Sequence, residues 1–215
     1  MDSVDRLIRP RPARGQAAAA LLDSARRQLL EHGHARLSTR SVADAAGVPL
    51  SQVHYHFGSK QQLVLAVLAA ENERRLARQT DLYGEDRPLW QRYEQACDYL
   101  EDDLDSGYVR ILQEMIAVGW SEPEVAESVR AMLRGWLDLL MQVTRTAEAR
   151  YGPLGPFPAE EVAGLVALLF MGGESMLLLG FERGDWPVRS ALRRIAVLIR
   201  NLEEGGDDAG VPAER

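Results

Sequence analysis

The chain has a single cysteine, Cys97, among 215 residues, which excludes an internal disulfide framework. It also has little of what marks an enzyme: no Gly-rich phosphate loop, no Ser/His/Asp series with supporting context and no paired catalytic carboxylates. The expectation is a protein that is not an enzyme. Acidic neighbours such as Asp102 with Asp103 and Glu203 with Glu204 read as solvated faces. The four histidines make no ligand set, because His54 and His56 stand two apart on a helix and point in different directions, and His32 and His34 sit at a helix end with no cysteine nearby. Neither a metal nor a cofactor is expected.

No series of signal-peptide type opens the residues given, so a cytoplasmic location is expected. Long apolar runs are also scarce. The one candidate, 162–181, has the length of a bilayer span but carries Glu174 and the pair Gly172 and Gly173 near its middle, and no other segment could join it in a membrane bundle. It is expected as a helix buried on nearly all sides, at a subunit interface, with no membrane partner.

A net charge of −7 looks wrong for a nucleic-acid partner until the chain is divided. Residues 1–60 hold nine Lys/Arg and five Asp/Glu, net +4, whereas 61–215 hold sixteen and twenty-seven, net −11. All four histidines fall in the basic part. A basic head on an acidic body is the asymmetry expected of a nucleic-acid-binding module joined to something else.

Helical spacing dominates what is present. Ala18, Leu21, Leu22, Ala25 and Leu29 make one stripe, closed by Gly33. Ser38 or Thr39 offers the N-cap of a short second helix with Val42, Ala45 and Ala46 inward, ended by Gly47. A third runs from Leu50 to His56 before Gly58, and Ser59 with Gln62 caps a fourth. Longer helices are then predicted at about 60–81, 88–105, 107–119, 122–150, 159–182 and 187–203, punctuated by Gly84, Pro88, Pro123, the 153–158 stretch and Pro187. The expected fold is all-α: a flexible arm (1–15), a three-helix helix-turn-helix DNA-binding domain (16–62, continuing into the fourth helix to about 80), a larger helical ligand-binding and dimerisation domain (63–204), and a disordered tail (205–215).

Two short helices joined by a glycine turn can place the second in a major groove. Over residues 38–63, STRSVADAAGVPLSQVHYHFGSKQQL, the chain resembles the TetR family of bacterial regulators: a Thr, a small-residue helix, A-G-V, an aromatic-x-His-Phe tail, then Ser-Lys and Leu. The resemblance covers about a quarter of the chain. It implies a transcriptional repressor that binds palindromic operator DNA as a homodimer and is released by a small molecule.

Carried onto matching positions, the resemblance implies that Thr39 caps helix two and faces a phosphate. It implies that Tyr55, His56 and Lys60 grip the backbone. Arg40, Ser41, Leu50, Ser51, Gln52 and His54 complete the expected DNA contacts, with Gln52 able to pair with adenine. Val42, Ala46, Val48, Val53 and Phe57 read as core. Pro49 departs from the family's usual serine and suits a first helical position without a side-chain cap, and Ser51 and His54 replace a usual glycine and aromatic. Arg9, Arg11 and Arg14 read either as solvated tail or as a minor-groove arm.

In the body the candidates for an effector pocket are Tyr93, Cys97, Gln113, Met115, Trp120, Trp136, Met141 and Glu174, a lining suited to a hydrophobic or amphipathic ligand. Leu168, Gly172, Gly173 and Met176, with Ile195, Leu198, Ile199 and Leu202, are the expected dimer interface, two helices from each subunit. The two heads should meet half-sites about 34–36 Å apart, and a ligand that favours another packing of the body would misplace them. A DNA-binding regulator or activator without a ligand, and an all-helical enzyme with an incidental helix-turn-helix, are the alternatives.

Overall fold

The computed structural model describes residues 14–181 and 186–208, the side chains of 14, 15 and 206–208 excepted. Of the proposed arm, Arg9 and Arg11 lie outside what is described and Arg14 is described in its backbone alone; the tail residues 209–215 also lie outside. Every regular element among the described residues is helical: α1 (Arg14–His32), α2 (Thr39–Ala46), α3 (Leu50–Phe57), α4 (Lys60–Gly84), α5 (Leu89–Asp105), α6 (Tyr108–Gly119), α7 (Pro123–Tyr151), α8 (Ala159–Leu178) and α9 (Val188–Asp208), with a 3-10 turn at His34–Arg36. The fold is all-α, as the spacing of apolar residues implies. α9 runs through 205–208, the start of the segment read as disordered tail.

The chain forms two compact units: residues up to Glu71 with Ser106–Val125, and Asn72–Asp105 with Ala126 onward. α6, which the sequence groups with the body, therefore packs in the same unit as the first three helices. The core of this unit is apolar and closed. Leu21, Ala25 and Leu29 of α1 have no exposed surface, nor do Val42 of α2, Val53 of α3, Leu63 and Val64 of α4 and Met115 of α6. α6 closes on α1 through Gly107, in the left-handed region at φ 82°, where a Cβ would lie 2.5 Å from the Leu30 carbonyl oxygen. Arg110 donates to the Leu29 and Leu30 carbonyls at the end of α1, and Glu114 accepts the His34 amide at 3.1 Å. Two of the last-turn carbonyls of α1 are thus met from another helix.

In the second unit α5 and α8 both pack on α9. Tyr93 stacks edge-on to Phe170 at 6.0 Å and donates its hydroxyl to the Leu192 carbonyl, and Trp136 meets the same Phe170 at 6.3 Å. Two residues read as solvated are instead buried. Asp103 receives Arg75 at 2.8 Å and Arg78 at 3.0 Å, and Glu203 accepts the Leu89 and Trp90 amides at the start of α5 together with the Tyr151 hydroxyl. Their neighbours in sequence, Asp102 and Glu204, stay exposed. An adjacent pair on a helix spans about 100°, so one member can face inward while the other faces water.

Within one chain α8 is covered on one side only: 28% of its most apolar window is buried, and Leu165, Leu168 and Leu169 are exposed, Leu168 at 70%. These leucines follow i, i+3, i+4 spacing, so they form one outward stripe. Ala163, Ala167, Phe170 and Gly173 make the inward one.

Candidate functional site

The helix-turn-helix is assembled by local capping. Ser38, not Thr39, caps α2: its hydroxyl accepts the Ser41 amide at 3.0 Å, and the Ser41 hydroxyl bonds back to the Ser38 amide. Thr39 is the first helical residue. Gly47 ends α2 in the left-handed region at φ 68°, which lets the chain reverse within two residues into Pro49, the N-cap of α3. Val42 and Ala43 are the inward residues of α2; Ala45, expected inside, is exposed. Ser59 caps α4 by accepting the Gln62 amide at 3.1 Å.

This capping presents one face to solvent. Arg40 on α2 and Ser51, His54 and Tyr55 on α3 are exposed, Tyr55 at 73%. Thr39, Leu50 and Gln52 are half-buried, and Val53 behind them is fully enclosed. His54 bonds the Gly58 carbonyl through Nδ1 at 3.1 Å. Two more of the expected contacts bond within the head, and a third is enclosed. The Ser41 hydroxyl also donates to Gln28, Lys60 donates Nζ to the His34 carbonyl at 2.8 Å, and the Nε2 of His56 is enclosed and has no hydrogen-bond partner. Lys60, the only lysine in the chain, thus ties α4 to the turn after α1. Beside it, burial and the neighbouring Lys60 charge hold the His34 imidazole below its ordinary pKa, against the opposing pull of Glu114.

Residues 21–67 match the family of bacterial regulatory proteins named tetR. The helix-turn-helix head is thus similar to that of this family. A curated relative, an HTH-type transcriptional regulator of Mycobacterium tuberculosis, is 28% identical over 131 residues, which are 61% of this chain and 43% of the relative; its Mycobacterium bovis counterpart matches equally. The matched segment thus spans less than half the length of these curated relatives. Among solved structures, a regulator from Saccharomonospora viridis in complex with choline superposes with a TM-score of 0.70 at 19% identity, covering 88% of this chain and 96% of the other. The regulator FadR of Bacillus subtilis, in complex with stearoyl-CoA, gives 0.66 at 12% identity, covering 87% and 98%. At these identities the likeness is one of fold, and it covers most of the chain.

The residues singled out for a ligand divide between the two units. Gln113 and Met115 of α6 and Trp120, its C-cap, belong to the first unit, where Met115 is fully enclosed and Trp120 is 83% exposed. Tyr93 and Cys97 are packed in the core of the second unit, and burial raises the Cys97 thiol to about 11. Trp136 and Met141 pack on the cluster of Leu140, Ala163 and Ala167, and Glu174 is half-buried on α8. A cavity of about 220 Å³ lies elsewhere in that unit, between the end of α4, the start of α5 and the C-terminal half of α7. None of the eight lines it; Met141 borders a second, shallower hollow on α7. Residue type alone selected Trp and Met, but a large apolar side chain fills core space as readily as it lines a cavity.

Of the expected interface, Leu168 and Leu198 are exposed, at 70% and 68%, and Met176, Ile195, Ile199 and Leu202 are half-buried. The two glycines separate. Gly172 is exposed and a Cβ there would meet nothing within 4 Å, whereas at Gly173 it would fall 3.1 Å from Leu192 Cδ1 of α9. Gly173 serves the packing of α8 on α9 within one chain.

Proposed function

We propose that this chain is a DNA-binding transcriptional regulator, a repressor that holds a palindromic operator as a homodimer and is released by a small-molecule effector. The observation that carries this is the exposed face of Arg40, Ser51, His54 and Tyr55 on a helix-turn-helix that matches the tetR family. The start of α2 supplies backbone amides for a phosphate, and α3 offers side chains to a groove edge. Thr39, half-buried at the first helical position, contacts phosphate beside Arg40, and Gln52 reads a base. Lys60 and His56 act less as free contacts than as parts of the frame that holds α3.

The homodimer forms through the outward stripe of Leu165, Leu168, Leu169 and Gly172 on α8 and Leu198 on α9, since exposed apolar surface this continuous is a mark of an interface. Two copies of both helices would make a four-helix contact. The effector reading is supported by the cavity of the second unit and by the choline and stearoyl-CoA held by proteins of like fold. A cytoplasmic location follows from such a role.

Selection of bound sequences from random duplex DNA, followed by footprinting with the full chain, tests the proposal. A palindromic consensus whose half-sites lie about one helical turn or a multiple apart is expected. Binding without sequence preference at physiological salt would overturn it.

A further inference from the structure

We propose that the cavity of the second unit binds a small monocarboxylate carried on a compact apolar body. This deepens the effector reading above and rests on it. Two arginines, Arg92 and Arg150, line the cavity, and no aspartate or glutamate does. Arg92 gives Nη1 to the Tyr83 carbonyl at 2.6 Å, a neutral acceptor, and its Nε is enclosed without a hydrogen-bond partner. Arg150 lies over the Tyr151 ring with its guanidinium carbon 5.2 Å from the centroid. The carboxylate that Tyr151 meets, Glu203, already accepts the Leu89 and Trp90 amides and the Tyr151 hydroxyl.

This positive lining is not inherited from its surroundings, because residues 61–215 carry a net charge of −11. Two guanidiniums facing one partly enclosed space repel each other, and an anion between them removes that cost. The remaining wall decides what kind of anion. Leu89, Leu139 and Val143 offer apolar surface, and Thr80 and Thr146 offer hydroxyls. Inorganic phosphate would leave the apolar part of this wall unused, whereas a carboxylate on a ring or short chain would fill it. The volume, below the roughly 300 Å³ at which pockets for drug-sized molecules begin, limits the body to about one ring.

The test is calorimetric titration of the full chain with benzoate, cyclohexanecarboxylate and hexanoate, beside benzamide, choline and inorganic phosphate. At least one acid is expected to bind in the millimolar range or tighter, with the amide, choline and phosphate weaker. Arg150→Gln, at an exposed position, should keep the melting point of the unliganded protein and lose about tenfold in affinity for the acid, the worth of one charge-assisted hydrogen bond. Arg92→Gln should lose as much. Binding of benzamide as tight as benzoate, tighter binding of phosphate, no acid binding into the millimolar range, or full affinity in both variants would each overturn the proposal. Adding operator DNA separates the two readings. Acids that bind yet leave the operator complex intact would leave the ligand class standing and sink the effector role, whereas release by choline with no acid bound would do the reverse.

Discussion

Gly173 of α8 faces Leu192 of α9 so closely that a Cβ on it would lie 3.1 Å from Leu192 Cδ1, while its neighbour Gly172 faces open space. The two glycines should therefore fail differently. Gly173→Leu forces α8 away from α9 and is expected to lower the melting point, in line with the ~1–3 kcal/mol cost of overpacking a core. Gly172→Leu should leave the fold of one chain intact and weaken self-association and operator binding together. Sedimentation equilibrium beside a melting curve checks both, and a Gly172→Leu protein that remains fully dimeric would place the interface elsewhere.

Lys60 holds the His34 carbonyl, so its removal acts on the frame of the head as well as on charge. Lys60→Ala is expected to lower affinity for all DNA sequences by a similar factor. Gln52→Ala should instead change preference at one or two positions of a half-site. A selected-site profile for each variant, with a salt titration, distinguishes the two. Lys60→Ala should also lower the melting point by removing a half-buried hydrogen bond, worth about 1 kcal/mol.

Asp103 is buried beneath Arg75 and Arg78, and despite both arginines burial holds its carboxyl above the ordinary value. Removing a partner leaves a buried charge less compensated. Arg75→Ala should cost about 3–5 kcal/mol in denaturant unfolding, whereas Asp103→Leu with Arg75→Met, which removes the charges from the pair, should cost much less.

His34 gives a pH dependence to the head. Its pKa in the folded protein lies below the ordinary 6.5, so the fold binds this proton more weakly than the unfolded chain does. Its contribution to stability is present above 6.5 and is lost as pH falls below that value through the lower folded pKa. Melting points taken from pH 8 to 5 should decline at the acid end, and His34→Gln should flatten that part of the curve.

Cys97 is buried beside Tyr93, and with its thiol raised to about 11 it has almost no thiolate at neutral pH. The folded protein should resist iodoacetamide at pH 7.5 and react only after denaturation. Rapid labelling of the native form would contradict the packing of α5 on α9.

What the sequence determined by itself is the local part of the structure. The helices, their stops at Gly33, Gly47 and Gly58 and the Ser59 cap depend on contacts within a few residues, and each is readable from spacing and residue type. The same holds for the likeness of the head to the tetR family, whose pattern lies in one continuous stretch. Tertiary structure decided the rest. α6 packs with the head because Arg110 and Glu114 reach the end of α1 some eighty residues away. Asp103 and Glu203 are buried because distant partners, Arg75 and Arg78 for one and the start of α5 for the other, satisfy their charge. The cavity at Arg92 and Arg150 is lined by residues of three helices far apart in sequence. Helical periodicity states which residues share a face, but the face a neighbour covers is settled only when the whole chain is packed.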